Sequence, residues 1–161
     1  MAVYTQLSQS DITTFLAAYN VGELVSFKGI AEGVTNTNYL LHTDSKPENY
    51  ILTIFEENFN AADLPFFMNL TENLADKGIV CPRPIHNVEG KVIGNIKGKP
   101  AVLIEFLQGR GNPHITPRHL ELVGELTAKL HLATQDFSKR RENSLGLTGF
   151  KKLFADMFYS F

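Results

Sequence analysis

Apolar residues recur every three or four positions near the start of the chain, which is the spacing of one face of an α-helix. The positions are Ile12, Phe15, Leu16 and Tyr19. Ser8 or Ser10 is suited to begin such a helix, because a serine hydroxyl accepts a hydrogen bond from a backbone N–H of the first turn. The pattern therefore predicts a first helix that ends near Gly22.

Three short segments rich in apolar and β-branched residues follow the first helix. They cover residues 24–30, 39–43 and 50–55. Polar stretches separate them, and the second of these, residues 44–49, has the composition of a turn. Strands that are joined by connections this short pair with each other in the antiparallel sense.

A second helical pattern covers residues 60–77, and Gly78 supplies its stop signal. Pro65 falls in the first turn, where a proline is tolerated best. Two further strands are predicted after this helix, at residues 91–96 and 100–107. Together these elements predict an α+β fold, in which five antiparallel strands pack with a helix.

The composition changes at residues 108–115, which are rich in glycine and polar residues and resemble a hinge. Beyond it, Thr116 is placed to cap a long helix whose apolar stripe we expect to be buried. The stripe consists of Leu120, Val123, Leu126, Leu130 and Ala133. A last amphipathic segment, residues 148–161, is so aromatic that we expect it to need a partner surface. Residues 1–107 are thus predicted to form one domain and residues 116–161 the truncated start of a helical one.

Composition and charge restrict the partners that the chain is expected to have. Its 15 basic and 17 acidic residues are interspersed and give a net charge of -2, which disfavours nucleic acid and anionic membranes. Cys81 is the only cysteine, so an internal disulfide is excluded and a reducing compartment is favoured. We find no signal peptide and no membrane-spanning run, and we expect a cytoplasmic protein.

A glycine-bearing hairpin is the first candidate for chemistry. Lys28, Gly29 and Gly33 precede a stretch of small and amide side chains that includes Thr35, Asn36 and Asn38. Glycine lacks the Cβ that would hold an anion away from the backbone, so such a loop is able to present N–H groups to phosphate oxygens. The alternative is an ordinary hairpin whose glycines serve only the geometry of the turn.

The order of elements resembles the small lobe and first large-lobe helix of the aminoglycoside phosphotransferase-like family of the protein-kinase-like fold. Within this family the chain resembles the bacterial homoserine kinases, over about the first half of their length. The segments that carry the resemblance are residues 24–33, 36–41, 51–56, 63–67 and 124–133. The resemblance implies ATP, Mg²⁺ and L-homoserine as ligands, and an enzyme of threonine biosynthesis.

The resemblance also implies an ATP site. The loop would close over the phosphates, with Gly29 and Gly33 permitting close approach. Hydrogen bonds would come from Thr35, Asn36 and Asn38. The carbonyl of Glu105 and the N–H of Leu107 would contact the edge of the adenine.

The chain departs from the kinase pattern at the third strand. Thr53 stands where kinases carry a lysine, and Met68 stands where the partner glutamate is often found. Losing both together avoids an uncompensated charge in a partly buried cleft. Lys28 is our candidate for neutralising the phosphates, although it is also compatible with a solvated strand edge. We expect Glu72 to face solvent and not to replace the glutamate.

Catalytic residues are not predicted in this chain. The string from His42 to Asn49 has the spacing of a kinase catalytic loop, but it lies in the turn directly after the hairpin and is rejected. The aspartate and the metal ligands are expected in the missing C-terminal part, so we predict the chain alone to be inactive. Residues 139–141 are predicted to form a solvated loop.

Three other functions stay open. The chain could be a noncatalytic nucleotide-binding or pseudokinase module, or a truncated product without independent function. It could also belong to another small-molecule kinase that acts on choline, an aminoglycoside or a sugar. The acceptor and the oligomeric state are not determined by these residues.

Overall fold

The computed structural model describes residues 3–56, 60–143 and 146–158. Within these ranges the chain forms four α-helices, five strands and a 3-10 turn, Ala61–Asp63, that leads into the second helix. In chain order the elements are α1 (Gln9–Leu16), β1 (Leu24–Ile30), β2 (Asn36–Thr43), β3 (Asn49–Phe55), α2 (Leu64–Asp76), β4 (Ile93–Ile96), β5 (Lys99–Glu105), α3 (Pro117–Ala133) and α4 (Leu147–Phe158). None of the described helices is long and apolar enough to cross a membrane.

The five strands form one antiparallel sheet in the order β1-β2-β3-β5-β4. This topology confirms the predicted α+β fold. Strand β2 starts at Asn36 rather than at the predicted Tyr39, because Asn36 and Asn38 continue the pairing against β3. Backbone hydrogen bonds continue the strand through polar residues, which a pattern of apolar residues does not detect. The sequence pattern therefore places the start of such a strand too late.

Helix α1 covers one face of the sheet. Ile12 is fully buried, and Phe15 and Leu16 are buried beside it, as their spacing predicted. Ser8 and Asp11 form a capping box at the start of the helix. The strand residues that complete this core are Tyr39, Leu41, Tyr50, Leu52, Ile54, Ala101 and Leu103.

Helix α2 belongs to the opposite face of the sheet. Val102 of β5 faces away from the α1 core, and yet it is only 1% exposed. The buried residues of α2 are Leu64 and Leu74, which also lie outside the α1 core. Pro65 of α2 borders the same surface groove as Ile93, which pairs with Val102. We conclude that α2 covers this part of the second face.

The apolar stripe of α3 is exposed, so the prediction that it is buried is wrong. Leu120, Val123 and Leu126 are 65%, 62% and 50% exposed, and no residue of α3 is buried within the described part of the chain. Helical spacing identifies the side chains that share a face, but it does not supply the surface that covers them.

The aromatic face of α4 is exposed as well. Phe150, Leu153 and Phe154 are half or more exposed. The side chains of Met157 and Phe158, and the whole of Phe161, lie outside the described residues. In α4, as in α3, an amphipathic pattern is therefore present although the apolar side chains are not buried.

The segment after α3 docks on α2. Lys77 Nζ donates a hydrogen bond of 2.6 Å to the carbonyl of Ala133 and forms an ion pair with Asp136. The rings of Phe66 and Phe137 meet edge to face, with their centroids 5.7 Å apart. These contacts attach the end of α3 to the helix that lies on the sheet.

Arg141 contributes to the same attachment. Its guanidinium forms a 2.8 Å ion pair with Asp63 and lies 5.1 Å from the ring centroid of Phe67. The side chain of Arg141 is 26% exposed. Residues 139–141 are exposed and belong to no helix or strand, as predicted, although the guanidinium of Arg141 also lies against the Phe67 ring.

Candidate functional site

A row of apolar side chains crosses the face of the sheet that is turned away from α1. Directly opposed residues of antiparallel strands share a face, and Leu40 is opposed to Lys28 on one side and to Ile51 on the other. Ile51 is in turn opposed to Ile104 of β5. Leu40, Ile51 and Ile104 are half-buried, whereas Lys28 is exposed. The three apolar residues form a shelf that leads to the end of β5.

A polar row lies beside this shelf, toward the loop that joins β1 and β2. Asn38 is opposed to Thr53, and Thr53 Oγ1 donates a 2.7 Å hydrogen bond to Asn38 Oδ1. This bond orients both side chains and leaves the amide NH₂ of Asn38 available as a donor. The structure thus brings together two residues that the sequence analysis placed in the site for separate reasons.

Asn36 continues the polar side one position nearer the loop. Its Oδ1 is buried and has no hydrogen-bond partner among the described residues. A buried amide oxygen without a donor is costly. Either a hydroxyl of a bound ligand would satisfy it, or rotation of the amide would present its NH₂ group to an anion.

The loop itself comprises residues 31–35. Gly33 has a φ of 111°, a conformation that L side chains rarely adopt, so the turn requires glycine there. The Nδ2 of Asn38 lies 3.9 Å from the position that a Cβ of Gly33 would occupy. The donor of the polar row is therefore close to the loop. Thr35 is exposed in the same loop, and its predicted contact with a phosphate stays a prediction.

Gly29 has a packing role that the sequence did not indicate. It is opposed to Tyr39, so it faces the α1 side of the sheet and not the shelf. A Cβ on Gly29 would lie 2.9 Å from Cγ2 of Val3. Its absence thus makes room for the N-terminal segment, and the predicted approach of Gly29 to a phosphate stays a prediction.

The end of β5 is paired on its outer side with the connector before β4. The N–H of Glu105 donates to the carbonyl of Arg83 at 2.9 Å, and Ile104 forms a bridge with Pro84. Leu107 lies beyond the strand and is 39% exposed. The Glu105 carbonyl and the Leu107 N–H stay predicted adenine contacts.

Glu72 is not the solvent-facing residue that the sequence analysis expected. Its side chain is 24% exposed and accepts a hydrogen bond from Nε2 of His86. The carbonyl of Gly90 on the other ring nitrogen, followed by the Glu72 carboxylate, raises the pKa of His86 above its usual value. The pair ties α2 to the connector before β4. His86, the partner of Glu72, therefore lies outside the candidate site.

A partly buried ion pair lies at the loop end of the sheet. Glu56 follows β3 and pairs through Oε2 with Lys99, and its side chain is only 10% exposed. Burial acts to raise the pKa of Glu56, but hydrogen bonds from Lys99, Thr37 and Thr5 outweigh it and hold the pKa below the usual range. The pair was not predicted, because its members are distant in the sequence.

The apolar shelf was also missed by the sequence analysis. The sequence analysis assigned Leu40, Ile51 and Ile104 to strands but did not predict which face of the sheet they occupy. The two-residue alternation of β2 and β3 separates them from the α1 core, and it would have identified the first two.

Two bacterial homoserine kinases are similar to this chain in sequence. The homoserine kinase of Paramagnetospirillum magneticum is 47% identical over 154 residues, which is 96% of this chain and 47% of that protein. The homoserine kinase of Mesorhizobium japonicum is 48% identical over 95% of this chain and 47% of that protein. The chain thus spans about half the length of the curated relatives it matches.

Solved structures share the fold. A spectinomycin phosphotransferase in complex with ADP and spectinomycin gives a TM-score of 0.69 at 15% identity, over 97% of this chain and 48% of that one. An amicoumacin kinase gives 0.62 at 18% identity, over 84% and 42%. The sequence model of the phosphotransferase enzyme family matches residues 26–156, which is most of the chain. The chain therefore belongs to the phosphotransferase enzyme family, as its resemblance predicted.

Proposed function

We propose that this chain forms the nucleotide-binding half of a homoserine kinase. Such an enzyme transfers the γ-phosphoryl group of ATP to the hydroxyl of L-homoserine in threonine biosynthesis. The observation that carries the proposal is identity of 45–48% over 95–96% of this chain to proteins named homoserine kinase. We place the protein in the cytoplasm, where ATP and the amino acid are both available.

The proposed adenine site is the apolar shelf. Leu40, Ile51 and Ile104 offer a flat, half-buried surface on which an aromatic base would stack. The shelf ends where β5 ends, so the carbonyl of Glu105 and the N–H of Leu107 are near enough in the chain to contact the edge of the base. Backbone groups hold such an edge without any requirement on the side chain.

The proposed phosphate site is the polar row together with the loop. Asn38 is held by Thr53 and keeps its NH₂ group for an oxygen of the ligand. Rotation of the Asn36 amide would exchange its buried, unpartnered oxygen for the NH₂ group, which would donate to a phosphate oxygen. Backbone N–H groups from Gly33 to Thr35 would cover the phosphates from above. These donors would stabilise charge that is already positioned for transfer.

The negative charge of the phosphates needs cations. Lys28 lies at the end of the shelf row and is exposed, and it forms no ion pair with another described residue. We propose that it approaches the phosphates when ATP binds. A divalent ion, which we propose to be Mg²⁺, would neutralise the remainder. The amicoumacin kinase complex named above contains AMP-PNP and Ca²⁺.

The described residues contain no group of three or more histidine, cysteine, aspartate or glutamate side chains that could hold a metal ion. We propose that the ligands and the aspartate that orients the homoserine hydroxyl come from the half of the relatives that this chain does not match. The role of the present residues is to bind and orient the nucleotide.

The first experiment measures ATP binding by the 161-residue chain with isothermal titration calorimetry. Thr53→Val keeps the shape of the side chain but removes the bond to Asn38, so we expect ATP to bind about three- to tenfold more weakly. Thr127→Val is the matched control, because it removes a 2.8 Å bond from a threonine to a backbone carbonyl on α3. Absence of ATP binding by the unchanged chain would refute the proposed site.

The second experiment tests the reaction. The chain alone is expected to phosphorylate nothing. A chimera that joins it to the remaining half of the Paramagnetospirillum magneticum homoserine kinase should phosphorylate L-homoserine in an ATP-dependent manner. Choline, an aminoglycoside and a sugar are assayed in parallel. A folded chimera that transfers no phosphoryl group to homoserine would contradict the proposal, because the acceptor-binding half is that of a homoserine kinase.

A further inference from the structure

The N-terminal segment, residues 3–7, crosses the sheet at its loop end on the α1 face. Leu7 N–H donates to the hydroxyl of Tyr39 at 3.0 Å, and that hydroxyl donates to the carbonyl of Thr5 at 2.9 Å. Lys97 Nζ donates to the carbonyl of Gln6 at 2.8 Å. The segment is therefore fixed on β2 and on the turn between β4 and β5, although it belongs to no helix or strand.

The same segment is fixed to the base of the loop. Tyr4 N–H and Thr5 N–H both donate to Oγ1 of Thr37, at 2.9 and 3.1 Å. Thr37 is fully buried and donates onward to Glu56 Oε1 at 2.6 Å. Thr5 Oγ1 donates to the same oxygen at 2.8 Å. The partly buried carboxylate of Glu56 thus contacts both the segment and the first residues of β2.

Two further contacts reach the loop itself. The hydroxyl of Tyr4 donates a 3.1 Å hydrogen bond to the carbonyl of Val34, a loop residue that is 85% exposed. Val3 packs where Gly29 lacks a side chain, on the strand that enters the loop. The segment therefore touches the strand before the loop, the loop, and the strand after it.

We infer that Val3 and Tyr4 are positioning residues for the nucleotide loop. This inference rests on the proposed function, because it assigns the loop to the phosphates of ATP. A loop that is already held in its bound form loses less conformational entropy when it closes on a ligand. The Tyr4 hydroxyl fixes the backbone at Val34, so adjacent N–H groups keep one direction before ATP arrives.

The test uses Tyr4→Phe in the 161-residue chain, which removes a single oxygen. We expect the affinity for ATP to fall about three- to tenfold, as for the loss of one hydrogen bond. Adenosine lacks the phosphates, so its affinity is expected to stay within twofold of the unchanged chain. Hydrogen exchange of the amides at residues 31–35, measured without nucleotide, is expected to accelerate. Thr127→Val serves again as the control.

Each outcome has one meaning. Equal loss of affinity for ATP and adenosine, with a lowered melting temperature, would make Tyr4 a purely structural residue and overturn the inference. Unchanged ATP affinity and unchanged exchange would overturn it as well. If the unchanged chain binds no ATP, the proposed function fails first and the inference fails with it. That result is recognised before any variant is made.

Gly29 provides a second variant. Gly29→Ala places a Cβ against Val3 and is expected to weaken ATP binding, whereas Val3→Ala in the same chain should restore it. Restoration supports the inference, since the packing of the segment is then what the loop needs. If ATP binding stays weak in the double variant, Gly29 is needed for the phosphates themselves, and the assignment of Val3 is overturned.

Discussion

Lys99→Met should destabilise the protein far more than the loss of an ordinary surface lysine. The change leaves the Glu56 carboxylate, whose side chain is 10% exposed, without its cation. The hydroxyls of Thr5 and Thr37 would be its remaining protein donors in the described structure. Methionine keeps the aliphatic length, so the loss is mainly electrostatic.

The magnitude follows from the exposure of the two partners. Removing one member of a fully buried pair costs about 3–5 kcal/mol, and an exposed pair contributes about 0–1 kcal/mol. The side chain of Lys99 is 31% exposed, so we expect about 2 kcal/mol, between these limits. For a chain of this size that corresponds to a fall in Tm of about 4–8 °C.

Urea unfolding followed by far-ultraviolet circular dichroism is the assay, because the chain has no tryptophan. Lys129→Met is the matched control, since Lys129 pairs with Glu125 on α3 and both side chains are more than half exposed. We expect the control to lose less than about 0.5 kcal/mol. A Lys99→Met variant no less stable than the control would refute the reasoning.

The same variant has a predicted pH dependence. The folded-state pKa of Glu56 is lowered, so its stabilising contribution is present above the ordinary value of 4.5 and is lost as the pH falls below it. Without Lys99 this contribution largely disappears. The difference between the two proteins should therefore be greatest near pH 7 and should shrink below about pH 4.5. A constant difference would contradict the assignment.

Two further predictions concern contacts away from the loop. Arg141→Met removes the 2.8 Å ion pair with Asp63 and the stacking on an aromatic ring, so urea unfolding should show a loss of about 1 kcal/mol. An unchanged midpoint would mean that the docking of this segment on α2 contributes nothing. The backbone N–H and hydroxyl of Ser8, then Lys97, lower the pKa of Asp11 from 3.8 to about 2. Stability from Asp11 is then complete above pH 3.8 and lost as the pH falls toward 2, and Asp11→Asn should flatten the pH dependence of unfolding in that window.

Local patterns were sufficient for the elements of the fold. The helical spacing of Ile12, Phe15 and Leu16 identified α1 and its buried face, and short polar connections identified antiparallel strands. The same spacing in α3 identified a helix but not its environment, because Leu120 and Val123 have no cover in the described structure. Spacing along a helix is a property of the local backbone, whereas burial depends on a second surface.

The candidate site divides in the same way. The sequence predicted Asn38 and Thr53 as site residues separately, and it gave the shelf residue Ile51 no role in the site. Their contact depends on the register of the strands. Thr53 and Asn38 are 15 positions apart in sequence, and the pairing of β2 with β3 places them opposite each other. A one-residue slip would turn each side chain to the other face, and apolar pattern alone does not fix the register where both faces are partly buried.

The sequence by itself determined which segments are helix or strand and which family the chain resembles, since both are written in short-range spacing and in motifs. Only the tertiary structure decided that Glu56, 43 residues away from Lys99 in sequence, joins the N-terminal segment to the base of the loop. It also decided that Gly29 faces Val3 and not the shelf. Ion pairs and packing contacts of this kind form between groups that are remote along the chain. A local sequence pattern does not predict them, because the groups come together only when the chain folds.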